Sequence, residues 1–458
     1  MPNKKRKKIG LVHFRIGETD GVSLEMEKWK KVLETMGHKV IYIAGSGGTI
    51  TDYFQLKTLH YKHPENQWLV DVLYKRSIPD IDEVEVKKRL NAYKEAIKQE
   101  LFQMLIKTEL DVLIVNNILS LGWNLAAGLA FREVAEKTGV KLIGHHHDFY
   151  WERPLYLKPK YSWVEDMLRE GFPPKSKMMK HVVINKIAQE ELKKRGFESM
   201  VVPNVFDFEH KTDHNQGRVA PQLFRKKLGI KDDEIVFLQA TRVVPRKGIE
   251  LIVQVIASFN QQIATMTGEK LFDGRKINAS TKAILVLAGK NEDPVYYNQI
   301  LAYGKTKNVI IKDLSNVFAY EGKSYRNSEE IYSFWDAYLL ADIVSYPSLL
   351  EGFGNQFLEA VYEQKPVVMY EYPVYVTDLS SYNFSVISLG HNYEIHDGLA
   401  QVGEEIVKES VAYIRQLLLD EKTYKQQVDG NFQIGLNNFS YRSLNRKLGQ
   451  LVEGVKYD

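Results

Sequence analysis

Two glutamates stand with seven residues between them in Ser345-Tyr-Pro-Ser-Leu-Leu-Glu351-Gly352-Phe353-Gly354-Asn355-Gln356-Phe357-Leu358-Glu359-Ala360. An apolar run ends there in a proline-containing turn. Glu351 follows, then Gly-Phe-Gly, then a helix opening near Asn355 with Glu359 in its second turn. Glycines let a ligand approach the backbone, and the first N–H groups of a helix are unpaired and attract an anion. A diphosphate suits that place. Glu351 could accept hydrogen bonds from sugar hydroxyls, and Glu359 from the two hydroxyls of a ribose. The plainer alternative, acidic residues complementing a helix dipole, accounts for Glu359 alone but not for the block.

A second stretch agrees with the first. Phe237-Leu-Gln-Ala-Thr-Arg242-Val-Val-Pro-Arg246-Lys247-Gly248 reads as a strand end, a basic loop and a helix start. Arg242 as a fork and Lys247 as a point charge can both reach a pyrophosphate. Arg246 is read as a solvent-facing extra charge.

Two segments of the first half carry further polar groups. After an apolar run at 8–14 comes Arg15-Ile-Gly17-Glu-Thr-Asp20-Gly21-Val-Ser23. A glycine-bearing loop that opens a helix can bring backbone to a phosphate or a sugar; as a plain turn it would be capped by Ser23. It is not Gly-x-Gly-x-x-Gly, so a nicotinamide or flavin cofactor is not supported. The second segment is Gly144-His145-His146-His147-Asp148. Side chains alternate along a strand, so three adjacent histidines cannot converge on one ion, and no metal site is expected.

Glu351 and Glu359 match the E-x7-E motif of retaining GT-B glycosyltransferases. With Lys365-Pro366-Val367-Val368 downstream, the block resembles family 4, the group 1 glycosyltransferases. The resemblance implies that Glu351 contacts the donor sugar and Glu359 the nucleoside ribose. Backbone around Gly352, Phe353, Gly354 and Asn355 would hold sugar and phosphates. Arg242 and Lys247 would neutralise the leaving diphosphate, whereas Arg246 departs from the commoner acidic or small residue. Gly21 corresponds to the loop glycine under the donor, and Arg15–Asp20 would lie near the acceptor. A histidine often followed by Asp contacts the donor sugar; His147-Asp148 fits, with His146 one register away and His145 structural. The segment 202–207 resembles the family's domain crossover.

The implied activity is retaining transfer of a hexose from a nucleoside-diphosphate sugar, with His147, Arg242, Lys247 and Glu351 as catalytic residues. No tightly bound cofactor is implied, and a role for Mg2+ stays open. The resemblance extends to enzymes that make sugar-based compatible solutes. It favours GDP-mannose as donor, UDP- or ADP-glucose next, and a small polar acceptor of glycerate or sugar type. A sugar-nucleotide epimerase or hydrolase on the same fold, or a non-catalytic nucleotide-sugar-binding protein, are the alternatives.

The elements that must position these residues alternate. Strands are expected at 8–14, 39–44, 112–115, 140–144, 182–184 and 200–203, with a helix over 124–137 between them. The cycle restarts with strands at 235–241, 283–288, 309–312, 343–346 and 366–370, and helices at 249–260, 329–340 and 356–364. Short apolar strands alternating with helices predict buried parallel sheets. The fold class is therefore α/β: two doubly wound Rossmann-like domains, 1–203 and 204–435, facing across a cleft. A last helix, 436–458, returns to the first domain in the resembling family. Segment 52–110 reads as charged and helical, and 261–281 as a polar surface insertion.

Composition narrows the classes. The 458 residues exceed what one core organises. There is no cysteine, so disulfides and thiolate metal centres are excluded. No apolar run approaches the roughly 18 residues of a membrane span, and the start does not read as a signal peptide; a cytoplasmic protein is expected. The net charge is +4, and the run Lys4, Lys5, Arg6, Lys7, Lys8 contributes +5 of it, leaving a near-neutral body. Nucleic-acid binding is not expected. The tail reads as a solubilising start, or as a weak anchor to anionic lipid. Oligomeric state is not legible.

Overall fold

Short apolar runs pair here into two parallel sheets whose central strands are buried on both faces. The structure, a computed structural model, describes residues 6–18, 20–210, 220–319, 324–326 and 329–452. Lys4 and Lys5 of the basic run and Thr19 of the first loop lie outside the described residues. The backbone divides into two units, Met1–Asn204 with Tyr441–Asp458, and Val205–Ser440.

The first unit holds β1 (Lys8–Arg15), β2 (Lys39–Ser46), β3 (Phe54–Gln55), β4 (Val112–Asn116), β5 (Lys141–His146), β6 (Met179–Val183) and β7 (Ser199–Val201). They form one parallel sheet in the order β3-β2-β1-β4-β5-β6-β7. Strand order reverses between β1 and β4, and the carboxyl ends of those strands are where open α/β sheets bind ligands. Segment 52–110 is chiefly helical, with Pro64–Tyr74 and Glu83–Thr108. The second of these helices turns Val86, Leu90, Tyr93, Ile97, Leu101 and Met104 inward at helical spacing.

The terminal segment differs from the expected single helix over 436–458. One helix, Glu421–Asn438, ends in the second unit, and another, Tyr441–Val452, belongs to the first. The latter packs against the helix Gly21–Thr35, burying Leu444, Leu448 and Leu451. Lys7 donates to the Val452 carbonyl and Lys8 pairs with Glu109, so these two charges of the basic run have partners inside the unit.

The second unit carries β8 (Glu234–Gln239), β9 (Lys282–Leu287) and β10 (Ile310–Asp313). Strands β11 (Phe318–Ala319), β12 (Ser324–Arg326) and β13 (Glu329–Ser333) make a small separate sheet. The main sheet continues with β14 (Ile343–Tyr346), β15 (Val367–Met369) and β16 (Ile387–Ser388), in the order β10-β9-β8-β14-β15-β16, all parallel. Its reversal lies between β8 and β14.

Two expectations fail in this unit. The helix expected over 329–340 is a strand through Ser333 and then a 3-10 helix, Phe334–Leu340. Ser333 and Asp336 form a capping box that starts the helical turn late. Segment 261–281 is no mere surface insertion. It buries Met266, Leu271 and Ile277 and sends Arg275 to Asp342 at 2.6 Å. Arg225 takes the same carboxylate at 3.1 Å. Burial alone would raise the Asp342 carboxyl, but Arg275 and Arg225 together hold it below its ordinary value.

Candidate functional site

In the second unit, the two loops at the reversal point carry the residues singled out above. The loop after β8 contains Arg242, Arg246 and Lys247; the loop after β14 contains Glu351. The loops are tied by the Leu349 N–H, which donates to the Arg246 carbonyl at 2.9 Å. Gly248 has φ of 57°, and a Cβ there would lie 2.5 Å from the Pro347 carbonyl oxygen. Only glycine allows the loops to approach so closely.

Lys247 and Glu351 form a buried ion pair, with side-chain exposures of 5% and 10%. Arg246 reaches the other carboxylate oxygen at 3.1 Å and the Leu350 carbonyl at 3.1 Å. Arg246 faces solvent as expected, with its side chain 39% exposed, and in addition holds Glu351 and its loop. Burial raises the Glu351 carboxyl, but Lys247 and Arg246 more than offset this and leave it below its usual value. Burial also lowers Lys247, opposed by Glu351. Arg242 is half exposed and pairs with Glu292 at 2.8 Å.

The Gly-Phe-Gly turn is set by one buried tyrosine of the same unit, Tyr372. The Tyr372 hydroxyl donates to the Phe353 carbonyl at 2.8 Å. Gly354 sits at φ of 123°, and a Cβ there would be 2.1 Å from that hydroxyl. The Phe353 ring is buried near Phe439, so this residue can offer a ligand only its backbone. Gly354 precedes the helix Asn355–Tyr362, and no side chain caps it. Glu359, 8% exposed, accepts from the Tyr338 hydroxyl at 3.0 Å.

In the first unit, the loop after β1 leads into the helix Gly21–Thr35. Its cap is Asp20, whereas the plain-turn alternative put the cap at Ser23. The Asp20 carboxylate accepts from the Val22 and Ser23 N–H groups at 3.1 and 3.2 Å and from the Ser23 hydroxyl at 2.7 Å. Arg15 pairs with Glu18 at 3.0 Å and Asp20 at 3.5 Å. Among the described residues, nothing lies within 4 Å of where a Gly21 Cβ would stand.

Strand alternation sends His146 one way and His145 and His147 the other, where those two rings lie 4.1 Å apart. His145 stacks on Trp29 with ring centroids 4.2 Å apart, and His146 bonds His181 at 3.0 Å. His147 sits past the end of β5, where Asn116 and Asn117 hold it. The Asn117 side-chain oxygen accepts from the His147 and Asp148 N–H groups at 2.7 and 3.2 Å. The Asn116 side-chain oxygen lies 3.3 Å from His147 Nε2. Desolvation pushes His147 down to about 3, aided by His13 and opposed by Asp20. Asn116, Asn117, Tyr338 and Tyr372 escaped the sequence reading. The one available signal was a polar Asn-Asn pair closing the apolar run of β4.

Comparison with known proteins follows this geometry. Residues 222–431 match the family model described as glycosyl transferases group 1. The chain is 41% identical over 456 residues to mannosylglucosylglycerate synthase of Petrotoga mobilis, covering 98% of each chain. It is 38% identical over 450 residues to mannosylglucosylglycerate synthase of Thermotoga maritima, covering 97% of this chain and 99% of that one. A glycosyltransferase structure from Rickettsia africae superposes with a TM-score of 0.60 at 15% identity, covering 97% of both chains, a likeness of fold. With two Rossmann-like units of GT-B type and full-length similarity to two curated synthases, the chain belongs to the group 1 glycosyl transferases.

Proposed function

We propose that the chain transfers a hexose, with retention at the anomeric carbon, from a nucleoside-diphosphate sugar to a small polar acceptor. GDP-mannose is the donor and a glucosylglycerate-type molecule the acceptor, a choice supported by the names of the two synthases. The observation that carries the donor reading is the convergence of Lys247 and Arg246 on Glu351 at the reversal point of the second sheet.

In this reading the bond from the anomeric carbon to the diphosphate breaks as the acceptor oxygen bonds on the same face. The acceptor's proton passes to the leaving phosphate oxygen. Lys247, Arg242 and the N–H groups around Gly352, Gly354 and Asn355 stabilise the departing charge. Glu351 holds the sugar and Glu359 the ribose. His147 and the Gly21 loop face the sugar and acceptor. The reading includes no tightly bound cofactor and a cytoplasmic location, the latter supported by the absence of cysteine.

The test is turnover with GDP-mannose, UDP-glucose or ADP-glucose against glucosylglycerate, with and without Mg2+, and NMR of the product's anomeric signal. A retained anomer formed from GDP-mannose is expected. An inverted anomer removes the same-face scheme, and hydrolysis at an equal rate without acceptor removes the transferase reading.

A further inference from the structure

Three histidines at the carboxyl end of the first sheet share one hub. The Asn116 carbonyl lies 3.0 Å from His13 Nδ1, and its side-chain oxygen lies 2.9 Å from His145 Nδ1 and 3.3 Å from His147 Nε2. The orientation of the amide follows from its other end. Asn116 Nδ2 faces the Val12 carbonyl at 3.2 Å and the Ile114 carbonyl at 3.5 Å, which can only accept. The amide nitrogen must therefore point there, and the amide oxygen must point at the imidazoles. An oxygen that only accepts requires each facing ring nitrogen to carry a proton. Asn116 is itself 1% exposed, and His145 is wedged between it and Trp29, so the hub has little freedom to turn.

We propose that Asn116 is a positioning residue that fixes His147 as its Nε2–H tautomer, leaving Nδ1 to accept a hydrogen bond from a substrate hydroxyl. The ring nitrogen that contacts substrate is set by what the other nitrogen bonds. Among the described residues, Nδ1 of His147 has no hydrogen-bond partner. Asn117 supports the same placement from the backbone side. It stands at φ of 57° and fixes the His147 and Asp148 N–H groups through one side-chain oxygen. His147 thus acts as an acceptor, neither donating from Nδ1 nor shuttling a proton. The substrate part of this inference rests on the transferase reading; the tautomer does not.

The experiment is a long-range 15N–1H correlation spectrum of the full chain labelled with 15N-histidine, recorded without substrate at neutral pH. His147 is identified by loss of its signals in His147→Asn. The expected pattern is Nε2 protonated and Nδ1 bare. In Asn116→Leu the expected result is a mixture of tautomers. Thermal unfolding of Asn116→Leu separates a tautomer mixture in a folded chain from a variant that does not fold, and the wild-type spectrum tests the tautomer in either case. Turnover should fall roughly tenfold or more in Asn116→Leu, since a histidine in the wrong tautomer disables a site, while binding of free GDP stays unchanged. His147→Asn, whose amide oxygen replaces Nδ1, should keep more turnover than His147→Gln. A protonated Nδ1 in the wild-type spectrum overturns the proposal even in an active enzyme. Absence of wild-type turnover with the expected spectrum instead overturns the transferase reading alone.

Discussion

Gly354 shows how much of the loop after β14 is fixed by single atoms. Its φ of 123° disfavours any side chain, and a Cβ would meet the Tyr372 hydroxyl at 2.1 Å. That hydroxyl cannot swing away without leaving the Phe353 carbonyl unpaired, because Tyr372 is fully buried. Gly354→Ala should therefore lower stability by about 1–3 kcal/mol and weaken donor binding. Adding Tyr372→Phe, which removes the obstructing oxygen, should recover part of the loss. Thermal unfolding of the three proteins checks this; an Ala variant as stable as the wild type would show that the turn is not so constrained. The motif residues themselves were legible: Glu351, Lys247 and the glycines stand out by type and spacing. The tyrosines that aim them come from other elements, and nothing local in the sequence marks a buried tyrosine as a brace. The partner of Arg246 was hidden for the same reason, since Glu351 is 105 residues away.

At the scale of elements, the strand ends of the first sheet gather histidines that stay neutral. Burial lowers His13, His145 and His146 and brings His181 to about 4 and His147 to about 3. Their ordinary value is 6.5. Below it the unfolded chain takes up protons that the folded chain refuses. Stability therefore falls as pH drops from about 6.5 towards the folded values, by up to about 1.4 kcal/mol per unit for each histidine. Glu152 and Glu250, raised by burial, oppose this in smaller number. The melting midpoint should decline between pH 7 and 5, before ordinary carboxylates titrate, and decline less in His181→Gln. A flat profile would mean that these imidazoles are not desolvated.

The elements were legible where periodicity was unambiguous. β1, β2, β4, β5, β8, β9 and β14 fall within a few residues of expectation because each is a continuous apolar run. The segment 329–340 was misjudged because its apolar residues fit a helix and a strand equally well; the Ser333–Asp336 box decides, and pairing with β12 and β11 uses the residues before it. The anchoring role of 261–281 depends on the Arg275–Asp342 pair, which bridges 67 residues and leaves no local pattern.

At the scale of the whole molecule, the chain carries two parallel sheets, each with its own reversal point and its own set of polar residues there. The second unit gathers the cations suited to a diphosphate. The first gathers neutral acceptors, His147 among them, suited to hydroxyls. The family match at 222–431 falls within the second unit, whereas the relatives extend through both. The basic run adds little to it, since Lys7 and Lys8 are engaged within the first unit.

The most direct test of the central claim is calorimetric titration of GDP-mannose into the wild-type chain and into Lys247→Gln, at equal ionic strength. The account expects saturable binding to the wild type and at least a tenfold loss in the variant, about 1.4 kcal/mol, with the variant still folded. Equal affinity in both proteins, or no binding of GDP-mannose, UDP-glucose or ADP-glucose to a folded wild type, would contradict a nucleotide-sugar site built around Lys247 and Glu351.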